Sequence, residues 1–496
     1  MSREGAPAVE GMGARPRVVM PLRRGVSAFS PEDASLDQGA ALFAKLVFAA
    51  TLPLFAQVFY YLNEYPPPYL LSKAWPFLTL PMAFYAMARL KLPVSGMFLT
   101  VLAYALGFTP LVSMIQLGNG FLDALTTTIK AWPFTYYFSL SALLALLAVP
   151  ARSIRKIVLA LGLATFILMV LIYLAAPTSW YSDNPADGKL LLYDLERSYR
   201  VYMPMFFGMI LVFFLARSFI LQRNILFALV VVLAFVPMLL IFKQRTAIAA
   251  AAVVVVFGMT MSLPPALRRL VIGGALLGGA AGVALLAYKL GLFSSGSLEG
   301  AKDALGASLS VRQNSSSLAF AFLGDDPMRW TFGVGATTRF STTTLNDIFG
   351  NEQFFIADLG WIGVIFEYGV IGAALLAVLY AWCFVYVFRL TRDLTDAFTL
   401  ALADYVLFLI VSSAVYSVVF TPGELGVVMA LIVHLDRQRR VEPPPLPQDA
   451  PPTHRISRPL GPRHANRQVA LGQAAPGGIA LGRVTLARAS APKRPD

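Results

Sequence analysis

The chain has one cysteine and three histidines in 496 residues, and only 14% of it is charged. Each scarcity excludes something. Cys383 lies inside an apolar run, so neither a disulfide framework nor a cysteine-based metal site can form. His434, His454 and His464 all fall near or beyond the last apolar run. That argues against a histidine-ligated metal in the loops that precede them. Soluble domains are about a quarter charged, so this chain departs from them before any motif is read. Residues 1–39 are polar and lack a hydrophobic core, so no cleavable signal peptide is expected.

What is abundant is hydrophobic sequence, 57% of the residues, with a mean hydropathy of +0.67. It falls into runs at roughly 40–61, 70–88, 94–116, 131–149, 157–177, 201–220, 225–242, 246–262, 270–290, 360–387, 397–418 and 423–436. This pattern predicts an all-α polytopic membrane protein of about twelve transmembrane helices, since about 20 residues cross a bilayer. Residues 1–39 read as a disordered cytoplasmic arm and 40–436 as the membrane domain. Residues 437–496 form a second disordered segment, with ten Arg and one Lys against three acids, net +8 of the chain's +13.

Lysine and arginine in short loops set the expected orientation. With both termini in the cytoplasm, the inner loops hold Arg89 and Lys91, Arg152, Arg155 and Lys156, Arg217 and Arg223, Arg268 and Arg269, and Arg389 and Arg392. The outer loops are then NEYPPPY, the stretch ending at Lys130, 178–200, KQRT, the long 291–358 and TPGE. The exceptions matter: Lys243, Arg245, Arg197, Arg200 and Lys289 carry positive charge on the outer side. An anionic partner there is the expected reason.

Arg245 opens an Ala/Val-rich helix, and a helix N-terminus with a guanidinium suits phosphate oxygens. The alternative for Lys243 and Arg245 is that they reach lipid headgroups. Arg200, four residues before Pro204, either faces the same cavity or pairs with Glu196. In the long loop, Arg312 opens a helical stretch over about 311–323, Gly324 to Pro327 end it, and Gly333-Val334-Gly335 form a tight turn. Arg339 follows. Asp347, Glu352 and Asp358 approach the membrane, and Glu367 lies about two turns into the next helix. Without an outer histidine, a carboxylate is the side chain able to accept a proton from a sugar hydroxyl. Glu367 is either functional at that depth or the partner of a basic residue on another helix. Trp330 either stacks on a sugar or packs in a core.

Three features together resemble the O-antigen ligase/polymerase superfamily. They are Gln244-Arg245-Thr246 before a small-residue helix, the series Arg312, Pro327, Gly333 and Gly335 in one large loop, and Glu367-Tyr368-Gly369-Val370-Ile371-Gly372 after it. The resemblance implies a bacterial inner-membrane glycosyltransferase of the GT-C-like helical-bundle kind with one large periplasmic loop. Its donor would be an undecaprenyl-diphosphate-linked oligosaccharide, used without a metal or other cofactor. Arg245, Arg200 and Arg312, with Lys243 and Arg339, would hold the diphosphate, and one of Asp347, Glu352, Asp358 or Glu367 would act on the acceptor. Family ligases carry a His-Asn pair shortly before the Glu-x-Gly segment, where this chain reads Phe349-Gly350-Asn351-Glu352. That departure favours a repeat-unit polymerase of exopolysaccharide biosynthesis over a ligase. A flippase for lipid-linked oligosaccharide is the rival from another class, and it should show internal repeats. Expected partners are the lipid-linked oligosaccharide, the lipid bilayer and a chain-length regulator, with no nucleic acid.

Overall fold

The computed structural model describes residues 31–441 except 184–188, 195–196, 274–306, 337–342, 351–353, 355, 393 and 417–420. Both terminal segments, the hydrophobic run at 270–290 for most of its length, and the candidates Arg339 and Glu352 lie outside the described residues.

The apolar runs fold as helices. In chain order these are α1 (Pro31–Phe55), α2 (Pro66–Leu78), α3 (Leu80–Arg89), α4 (Ser95–Ala103), α5 (Thr109–Leu117), α6 (Phe121–Thr127), α7 (Tyr136–Leu147), α8 (Ala151–Ala175), α9 (Phe206–Gln222), α10 (Ile225–Pro237) and α11 (Arg245–Met261). After the gap follow α12 (Ala307–Leu323), α13 (Pro327–Phe332), α14 (Leu345–Phe349), α15 (Trp361–Thr391), α16 (Ala397–Ser412) and α17 (Pro422–Val441). Five helical stretches among the described residues are long and apolar enough to cross a membrane: Gln38–Phe55, Ser95–Leu117, Ala151–Ala175, Ile225–Phe242 and Trp361–Thr391. The protein is therefore an all-α membrane protein.

Local sequence sets several helix starts. Asn224 caps α10, its side chain accepting from the Leu226 amide at 3.0 Å, and Asp396 caps α16 by accepting from Thr399 N at 3.1 Å. Along α10 and the π-helical turn Met238–Phe242 that continues it, Leu226, Leu229, Val232, Leu233, Leu239 and Leu240 are all exposed. Such a continuous apolar face is untenable in water and is the surface that lipid tails cover. The opposite arrangement holds in α11, where Ala247, Ala251, Val254 and Gly258 recur at helical spacing and are buried against α9 and α16. A side chain at Gly258 would meet Asp404 Oδ2 at 2.7 Å, so glycine there leaves room for the ion pair between Arg217 and Asp404.

The loops sort into two groups. At one end of the bundle the Asn63 side chain accepts from Lys189 N, Asn119 accepts from Thr343 N, and Lys243 reaches Arg197 and Tyr199. At the other end Arg437 bonds Lys91 O, Gln438 bonds Val149 O and Arg439 faces Asp396. These are the two loop sets that the charge pattern separates. Segment 178–201 is more than a loop: β1 (Leu191–Leu192) and β2 (Arg200–Val201) pair antiparallel, Leu192 opposite Arg200.

The two glycine motifs explain each other. Helix α15 breaks at Gly369, whose φ of 67° and ψ of 179° leave the helical region. The break is bridged by the Gly333–Gly335 turn: Val334 N donates to Phe366 O at 2.8 Å and Gly335 N to Glu367 O at 3.1 Å. A Cβ on Gly333 would lie 2.5 Å from Gly369 N, and one on Gly369 2.3 Å from Thr331 O. The Gly-x-Gly amides therefore serve the break in α15.

Candidate functional site

Segments far apart in sequence bring Arg197, Arg200, Arg312, Asp358 and Tyr416 together at the loop-rich end that also holds Lys243. The hairpin supplies Arg197 and Arg200, α12 supplies Arg312, the short 3-10 turn Ile356–Leu359 supplies Asp358, and the turn after α16 supplies Tyr416. Burial pushes the Asp358 carboxyl above the ordinary aspartate range, while the charges of Arg312, Arg197 and Arg200 pull it back in part. Burial likewise raises the Tyr416 phenol, with the carboxylate of Asp358 acting in the same sense and the charges of Arg312 and Arg197 against it. The Arg200 guanidinium is lowered by desolvation and by Arg197, with Asp194 acting in the opposite sense.

Charge links these groups, yet none of the three guanidinium groups closes to contact with Asp358. The Nε atoms of Arg197, Arg200 and Arg312 are each buried without a hydrogen-bond partner among the described residues. Leaving a charged donor unmatched costs more than leaving a neutral one. Asp358, Tyr416 and all three arginines nevertheless keep some accessible surface, so this cluster, hereafter the recess, is not packed into the core. Three arginines against Asp358 and Asp194 leave an excess of positive charge. The arrangement suits an anion with several oxygens, which can take the orphaned donors.

The sequence candidates divide on this geometry. Arg200, Arg312 and Asp358 meet in the recess. Lys243 does not present its charge there: its Nζ donates to the backbone oxygens of Arg197 and Tyr199 at 2.8 and 2.9 Å. It braces the loop that carries the arginines. Arg245 stands exposed at the first residue of α11, while its neighbours Gln244 and Thr246 lie near Tyr202 and Tyr416. Asp347 sits on the surface in a capping box, accepting from Thr344 N at 2.8 Å and Thr344 Oγ1 at 2.6 Å, which holds its carboxyl below the usual range. Glu367 is buried and paired with Lys130 at 2.7 Å, the structural one of the two roles open to it. Trp330 stacks on Phe320 and donates to Gly324 O, a packing role. Asp326 caps α13. Comparison of the chain with protein-family models and with curated proteins finds no match.

Arg197 and Tyr416 join the site without having been singled out for it. For Arg197 the signal was in the sequence, a second misplaced positive charge beside Arg200. Tyr416 sits inside a hydrophobic run and carries no signal of its own. Among the described residues no group of histidine, cysteine and carboxylate side chains is placed to hold a metal.

Proposed function

We propose that the protein is a polyprenyl-diphosphate-dependent glycosyltransferase that joins lipid-linked oligosaccharide repeat units into a polysaccharide at the periplasmic face of a bacterial inner membrane. The observation that carries this reading is the cluster in which three half-buried arginines, each with an unpartnered Nε among the described residues, act by charge on one carboxylate at one end of a membrane bundle. A diphosphate on a prenyl chain is the anion that suits both the donors and the lipid-facing walls.

In this mechanism the growing chain's anomeric carbon is held beside Asp358 with its diphosphate among Arg197, Arg200 and Arg312. The acceptor sugar's hydroxyl oxygen bonds to that carbon as the bond from the carbon to the diphosphate oxygen breaks, with inversion. The electron pair leaves with the polyprenyl diphosphate, whose developing charge the guanidinium groups stabilise. The hydroxyl proton passes to the Asp358 carboxylate. Tyr416, beside Asp358, is positioned to orient the same hydroxyl.

Deletion of the gene followed by analysis of polyprenyl-linked saccharides by length and membrane face tests the reading. Single repeats accumulating on the outer face support it. Full-length polymer retained on lipid would make the protein a ligase, and single repeats trapped inside would make it a flippase.

A further inference from the structure

A second positive cluster lies beside the recess. Tyr60, in the short 3-10 turn Val58–Tyr61, has Lys189 Nζ 3.9 Å and Lys73 Nζ 4.3 Å from its ring centroid. The ring of Tyr69 lies 6.0 Å away, with Lys73 Nζ 5.7 Å from its own centroid. Lys130 also acts on Tyr60 by charge, and it holds Glu367. Among the described residues Lys189 has no carboxylate partner. Two ammonium groups sharing one ring repel each other and gain from an anion placed between them.

The position of this cluster relative to the recess is set by aromatic rings. Tyr60 lies 6.0 Å from Tyr61, and Tyr61 lies 5.4 Å from Tyr202. Tyr202 in turn senses the charges of Asp358 and Arg200. A line of three tyrosine rings thus runs from the lysine pair to the guanidinium groups. Tyr60, Tyr61 and Tyr202 are each half-buried. Tyrosine faces offer flat apolar contact with a hydroxyl at one end, which matches the apolar face and polar edge of a sugar ring.

We propose that Lys73 and Lys189 over Tyr60 form a second phosphate-binding position, which holds the diphosphate of the acceptor while Tyr60, Tyr61 and Tyr202 cradle its sugars toward Asp358. This rests on the glycosyltransferase reading. It explains why one end of the bundle carries two basic clusters of different chemistry: forked guanidinium groups where a leaving group gains charge, and point-charge ammonium groups where a phosphate is only held.

Counting bound farnesyl diphosphate on the full-length protein in neutral detergent, by native mass spectrometry and calorimetry, tests this. The wild type should take up two equivalents. Lys73→Gln with Lys189→Gln should retain one, its second equivalent weakened at least ~10-fold, while Arg200→Gln with Arg312→Gln should retain the other. One equivalent in the wild type, lost only in the arginine variant, overturns this proposal and leaves the recess intact. Two equivalents surviving in the arginine variant, with one lost in the lysine variant, would instead overturn the recess assignment. If the lysine variant loses co-purified phosphatidylglycerol and still binds two prenyl diphosphates, the lysines hold bulk lipid and the proposal fails. Retention of the other equivalent in each variant shows that it is folded.

Discussion

Two arginine–aspartate groupings occur in this protein, and they are built to opposite specifications. Arg217 and Asp404 form a closed pair between α9 and α16: Nε and one terminal nitrogen bond the two carboxylate oxygens at 2.7 and 2.6 Å, and the other terminal nitrogen bonds Ser262 Oγ at 2.9 Å. Each guanidinium nitrogen has a partner, and the side chains are 6% and 4% exposed. Arg197, Arg200 and Arg312 surround Asp358 without touching it, and each keeps an Nε buried and unmatched. The first grouping has its charges matched, and the second keeps three Nε donors that no described residue satisfies; Glu196, the alternative partner for Arg200, lies outside the described residues. The two groupings thus differ in whether their donors are matched and not merely in being buried.

The closed pair should be the more costly to break. Arg217→Ala strands the Asp404 carboxylate and should destabilise the fold by about 3–5 kcal/mol, read as a lowered melting temperature in detergent. Arg217→Met combined with Asp404→Leu should recover most of that loss. If the single variant melts like the wild type, the pair is not structural.

In the recess the order reverses, with activity affected and stability little changed. Arg200→Gln or Arg312→Gln should each lower polymer formation about 10²–10³-fold, the effect of removing one preorganised donor to a developing negative charge. The melting temperature should hold or rise, because mutual repulsion is relieved. A loss of activity that tracks a loss of stability would make these arginines structural like Arg217.

Between the two stands the α15 break, which joins the Gly333–Gly335 turn to Glu367. Gly369→Ala forces a side chain into a left-handed backbone conformation and onto Thr331 O, at a cost of about 1–3 kcal/mol. Its expected signature is a lowered melting temperature with farnesyl diphosphate binding at the recess preserved. Unchanged melting would mean that the break is not held by that contact.

The smaller effects are read in pH. A proton acceptor must be ionised, and burial raises Asp358 despite its arginines. Polymer formation should therefore rise with pH through a midpoint above the usual aspartate range. Asp358→Asn should abolish that limb while prenyl diphosphate still binds, and an unchanged limb would assign the proton acceptor elsewhere. Burial alone would raise Tyr60, but Lys189, Lys73 and Lys130 outweigh it and bring the phenol down to about 8. Because the folded value is depressed, Tyr60 contributes stability that is full above the unfolded value near about 10. That contribution is lost as pH falls through about 8. Ultraviolet difference absorbance should show one early tyrosinate, moved to higher pH by Lys189→Met; no early tyrosinate would remove the lysine cluster's charge from the comparison.

Much of the architecture was legible. The hydropathy runs coincide with helices wherever both are described, and the inside-positive pattern separated the loops that meet at each end. The stretch 311–323 is helical and Gly324 to Pro327 do end it, but α12 begins at Ala307, so Arg312 lies in its second turn and does not open the helix. The site was legible only as a pool of candidates. Asp347 and Asp358 are eleven positions apart in one polar segment, yet one caps a surface helix and the other faces three arginines. Lys243 and Arg197 both read as stray outer charges, and one turned out to brace the loop bearing the other.

What this sequence determines by itself is what short-range physics controls: apolar length, helix caps and breaks at glycine. Tertiary structure decided which charges are matched. Arg217 and Asp404 are 187 residues apart, and the recess draws on the hairpin, α12, the turn before α15 and the turn after α16. A charged side chain carries the same chemistry wherever it stands in the chain. Only the packing of distant segments determines whether its donors find a partner or are left for a ligand.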